Sequence, residues 1–130
     1  MWGVLVGALV LLAKILEALG RAGDAYRRLS AALRHDPNNL KIRAQMVENR
    51  YNARRFRDVV TAAEQLDQRI RSQELMPSGE QSRIASDIFV RAAQCEQELR
   101  REDAMRSRLD RALELDETNP LALRVAIPIL

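Results

Sequence analysis

The chain has 130 residues, enough for one modest domain with its own core and too few for a two-domain enzyme. Apolar residues make up 47% of it and aromatics only 4%, with five glycines and four prolines, which favours helices and leaves little material for an all-β fold. One cysteine (Cys95) and one histidine (His35) exclude an intramolecular disulfide and a Cys/His zinc site, and the net charge of +3 divides unevenly: residues 1 to 60 hold 11 Lys and Arg against 5 Asp and Glu, the remainder 10 against 13.

In chain order, the first segment is the least usual. Residues 1 to 13 carry no charge, and apolar character continues to Leu19, broken only by Lys14 and Glu17. Thirteen helical residues span roughly 20 Å, short of a hydrocarbon core of ~30 Å, whereas all nineteen nearly reach it with Lys14 snorkelling. Residues 1 to 19 therefore have two readings: an anchor that keeps the following arginines cytoplasmic, or the first helix of a larger helical fold whose extra apolar face is buried on a second copy. No basic leader or cleavage pattern marks a signal peptide.

Gly20 and Gly23 break this helix, and Asp24 is expected to cap a second one ending near His35 at Asp36-Pro37-Asn38-Asn39. A third helix is predicted from Leu40 to Ala53 and a fourth from Arg55 to Leu75, with Phe56, Val59, Val60, Ala63, Leu66 and Ile70 inward. Residues 76 to 79 form a loop. A fifth helix from Glu80 to Leu99 is expected to bury Ile84, Ile88, Phe89, Ala92 and Cys95, and a sixth runs from Asp103 to Leu115. Another helix starts after Asn119, before Pro128 interrupts it.

Paired helices closed by Asp-Pro-Asn-Asn invite a search for repeats. Leu9, Leu12, Ala13 and Leu16, then Ala25, Leu29 and Ala32, then Pro37 fit the pattern W-x2-L-G-x2-Y, A-x3-F, P. Moving on by 34 residues, the same places hold Arg43, Met46, Val47 and Arg50, then Val59, Ala63 and Leu66, with Phe56 at the aromatic place opening the second helix. A third unit matches after an insertion of 12: Phe89, Ala92, Ala93 and Glu96, then Met105, Leu109 and Ala112, with Glu117 in place of the proline. The chain resembles the tetratricopeptide repeat family over nearly its whole length. The resemblance implies an all-α fold, an α-solenoid of about three antiparallel helix pairs over residues 5–39, 40–75 and 80–119, with 120–130 opening a further helix. An irregular helical bundle is the competing architecture.

No constellation for catalysis emerges. His35 lacks a second histidine and suits a helix C-terminus; Cys95 falls on an apolar face; the acidic run Glu96, Glu98, Glu102, Asp103 alternates with arginines as a solvated surface does. The reading is a non-enzyme without cofactor or metal. By the same resemblance, the first helix of each pair lines a concave groove for a protein or peptide partner. Its side chains are Val10, Lys14 and Glu17, then Lys41, Ala44, Glu48, Tyr51 and Asn52, then Val90, Arg91, Gln94 and Glu98. Val10 and Lys14 stand where co-chaperone members of the family place the first Lys and Asn of a carboxylate clamp, which argues against a chaperone clamp.

Arg50, Arg54, Arg55 and Arg57, interleaved with Tyr51 and Phe56, form a basic cluster at the third turn. Nucleic-acid binding is the lesser reading of it, because Phe56 has a packing role in the repeat. The expected function is a cytoplasmic scaffold or adaptor. Its N-terminal helix is a candidate for membrane contact, and its apolar ends are candidates for contact between copies.

Overall fold

The computed structural model describes residues 2 to 126, and among them lie seven helices and no strand. They are α1 (Trp2–Ala18), α2 (Ala22–His35), α3 (Leu40–Asn52), α4 (Phe56–Arg71), α5 (Glu80–Glu98), α6 (Glu102–Leu115) and α7 (Pro120–Ala126). The all-α class is as expected. The expectations that fall on Met1 and on residues 127 to 130, Pro128 included, lie outside the described residues.

Three short turns fold the first six helices into pairs, and one geometry closes all three. The Arg21 amide donates to Leu16 O, Arg55 to Arg50 O and Arg101 to Glu96 O, at 2.8, 2.9 and 2.8 Å. The residue before each donor is left-handed: Gly20 at φ 77°, Arg54 at 59° and Arg100 at 60°. This is a helix C-terminus capped by a 6→1 hydrogen bond. Spacings of 34 and then 46 residues separate the three left-handed positions, the same intervals that the sequence repeats show.

The opposite edge closes differently. Asn39 and Asn119 each donate their amide to the carbonyl of the aspartate three residues earlier, Asp36 and Asp116, and each side-chain oxygen then accepts from the next helix: Ile42 N for Asn39, Leu121 and Ala122 N for Asn119. The turn with Glu117 thus matches the turn with Pro37, because Asp and Asn carry the geometry. Asp24, by contrast, does not cap α2. It sits in the first turn and accepts from Arg21 and Arg27, while Arg21 occupies the cap position without a side-chain cap bond. Helix four also stops short of Leu75: Arg71 is its last residue, Gln73 turns at φ 64°, and Leu75 folds back to be buried in the core.

Packing follows the order of the pairs. α1 lies along α2, α3 along α4 and α5 along α6; α2 meets α3, α4 meets α5, and α7 rests on α5 and α6 as the next first helix would. α3 also packs directly on α5, whereas α1 meets α3 more weakly, with Ile42 and Met46 joining the cluster of the first pair. The core divides accordingly. Ala13, Leu16, Ala25, Leu29, Ala32 and Ile42 form one cluster around the first pair, and a larger one around Phe89, Val47, Val59 and Leu66 joins α3 to α7.

Candidate partner-binding groove

Because α1 closes only partly against α3, a hollow of about 600 Å³ opens between them. Val6 and Val10 from α1 and Ile42 from α3 give it an apolar lining; Lys14 and Lys41, the only lysines in the chain, stand on its two sides. Gln45 also lines it, and Gln45 Oε1 is buried with no hydrogen-bond partner among the described residues. A buried amide oxygen without a donor costs about 1–3 kcal/mol. Two cations therefore face a partly apolar hollow, with Asp36 and Asn39 at one edge, which suits an apolar segment that brings a carboxylate.

Further along the same face, four of the expected groove residues meet. Arg91 on α5 reaches Glu48 on α3 with both ends of its fork, Nε to Oε1 at 2.6 Å and Nη2 to Oε2 at 3.2 Å, and donates to Gln94 Oε1 at 2.8 Å. Its guanidinium also lies 4.3 Å from the centre of the Tyr51 ring. The hydrogen bond to Glu48 holds the Arg91 guanidinium even more firmly charged than usual. This cluster is already satisfied from within, so it ties α3 to α5 and forms a closed wall beside the hollow.

Glu17, Asn52 and Glu98 lie exposed at the ends of α1, α3 and α5, away from both features. Val90 is a correction: it is buried, because α5 lies between α3 on one side and α6 and α7 on the other, so more of its surface is core than a groove-lining helix would allow.

The basic cluster divides in the structure. Arg50 turns away, stacking 4.2 Å over the Tyr26 ring of α2 and donating to Asn49 Oδ1. Arg54, Arg55 and Arg57 line a shallow depression with Phe56, Asp58 and Leu99, and Arg55 pairs with Asp58 at 3.6 Å. Three of the four arginines thus share a surface, with one carboxylate among them.

The acidic run beyond Cys95 is corrected more sharply. Glu96 is only 1% exposed, with Arg101 at 3.4 Å and Arg108 at 3.5 Å. Arg108 also reaches Glu64 on α4, and Arg111 reaches Asp67 on α4, so α6 is held to α4 by charge across the back of α5. Burial pushes Asp67 upward, but hydrogen bonds from Arg71 and Arg111 outweigh it and leave its carboxyl below the usual 3.8. One signal for this network is local: Glu96 occupies a packing position of the repeat. Cys95 is fully buried, and burial pushes its thiol up to about 12. That leaves no thiolate near neutral pH.

No helix among the described residues is long and apolar enough to cross a membrane. Among them no group of His, Cys, Asp and Glu could hold a metal ion.

No family model matches the sequence, and no curated protein is significantly similar to it. Among solved structures, the N-terminal domain of stress-induced protein-1 (STI-1) from C. elegans is similar at a TM-score of 0.78, with 14% identity over 96% of this chain and 94% of that one. At that identity the likeness establishes a shared helical fold along nearly the full length of both chains.

Proposed function

We propose that this chain is a non-catalytic interaction module, a scaffold or adaptor that takes a segment of a protein partner into the hollow between α1 and α3. The observation that carries the reading is the combination found there: apolar walls from Val6, Val10 and Ile42, with Lys14 and Lys41 on either side. The partner segment is apolar with an acidic side chain or terminal carboxylate for the lysines. The repeat resemblance supports the same face, since first helices line the groove of such solenoids. The buried Cys95 thiol suits a structural role better than a nucleophilic one, and a cytoplasmic setting is compatible with it.

A random peptide library displayed on phage tests this directly. Selection against the chain enriches apolar sequences bearing a carboxylate, and Lys14→Ala with Lys41→Ala weakens them at least about tenfold, the lower end of what charge-assisted hydrogen bonds contribute. Enriched peptides that ignore both lysines would overturn the proposal.

A further inference from the structure

The outer side of α1 carries chemistry that the hollow does not use. At 3.6 residues per turn Val4, Leu5, Leu11, Leu12, Ile15 and Leu19 fall within one arc, and every one is exposed, Val4 by 80%, Leu19 by 66% and Leu11 by 59%. No charge interrupts this arc, because Lys14 and Glu17 fall outside it and Leu9, Ala13 and Leu16 pack toward α2. A contiguous apolar surface of this kind marks an interaction site.

Its surroundings say what covers it. On α2, Ala25, Leu29 and Ala32 pack against α1, and Tyr26 and Leu33 face α3 and α4. The remaining surface of α2 and its preceding turn carries Arg21, Arg27, Arg28 and Arg34, all exposed. The carboxylate beside them, Asp24, is engaged by Arg21 and Arg27, whose hydrogen bonds hold it below the usual carboxylate range. An apolar arc with a cationic rim complements an anionic lipid surface. A second copy docked symmetrically on the same face would bring two such rims together.

Insertion across a bilayer is disfavoured by two facts. Seventeen helical residues reach about 26 Å, less than a hydrocarbon core of ~30 Å. The inner side of α1 is also packed along α2, whose arginines would have to follow it.

We infer that α1 is a membrane-surface helix: it lies in the plane of an anionic bilayer, with its apolar arc at the acyl boundary and the α2 arginines on lipid headgroup phosphates. The groove between α1 and α3 then stands beside the membrane and stays open to its partner.

Flotation of the full chain tests this, using phosphatidylcholine vesicles with and without phosphatidylglycerol. The expected result is binding to the anionic vesicles only, reversed by high salt. Leu11→Glu with Ile15→Glu abolishes it without touching the core, as unchanged circular dichroism confirms. Arg27→Glu, Arg28→Glu and Arg34→Glu together weaken it at least about tenfold, and Lys41→Glu in the hollow leaves most of it. Binding equal on both vesicle types, no binding at all, or a lipid-free dimer dissociated by Leu11→Glu overturns the inference; the last result assigns the face to a second copy.

Discussion

The first and third helix pairs share a closing geometry and differ in almost everything that geometry encloses. In α1–α2 the core is built from Ala13, Leu16, Ala25, Leu29 and Ala32, small and few, and it meets the rest of the chain chiefly through Ile42 and Met46. In α5–α6 the core holds Phe89, Ile88 and Val90, and it is tied outward by Arg108 to Glu64, by Arg111 to Asp67 and by the Ser86–Asn119 hydrogen bond. A solenoid is stabilised by each pair and by each interface between pairs. Among the described residues the third pair has neighbours on both sides and is locked by them, whereas the first meets one and leaves two surfaces open, the hollow and the apolar arc. Surface for binding is found where the stack is least complete.

That contrast can be broken or sharpened by substitution. Phe89→Ala removes the largest fully buried side chain and is expected to cost about 4 kcal/mol, read as a lower urea midpoint for the chain as a whole. Leu29→Ala in the first pair costs about 3 kcal/mol, and its signature is local: amide exchange accelerates in α1 and α2 while α5 and α6 keep their protection. Equal acceleration throughout would erase the distinction between the pairs.

Asn119→Ala is worth about 2 kcal/mol, since it uncaps α7 and removes the donor to Ser86 and Asp87. Arg100→Gly acts in the other direction, gaining about 1 kcal/mol in thermal unfolding by relieving a left-handed arginine. The smallest effect is electrostatic. Asp67 has a native carboxyl pKa below 3.8, so its contribution is fully present above that value and lost as pH falls through the native pKa. The stability of wild type and Asp67→Asn should therefore differ at neutral pH and converge in acid.

Much of the architecture was legible because it rests on periodic apolar residues and on turn chemistry. Ala25, Leu29 and Ala32, or Val59, Ala63 and Leu66, are spaced for one helix face and are buried on one. The turns at Asp36 and Asp116 read as stops and act as stops. What escaped was set by tertiary contact. Nothing local in Arg54 or Arg100 announces a positive φ, because Gly is the residue that advertises it; only their registry with Gly20 could have done so. Glu96 reads as surface among its charged neighbours until Arg101 and Arg108 are seen to meet it. The closure of Arg91 on Glu48 spans 43 residues of sequence, and a face that seemed uniformly available for binding proved half occupied by its own partners. The opening between α1 and α3 was likewise invisible, since regular repeats predict that neighbouring first helices touch.

The central claim is that the partner enters where the stack fails to close, between α1 and α3. Methyl NMR of the chain with a phage-selected peptide tests it most directly. The account predicts shifts concentrated on Val6, Val10 and Ile42, with Val59 and Leu109 unmoved. Shifts centred on the Arg54 to Arg57 turn or the Arg91 cluster, with those three methyls silent, would contradict it.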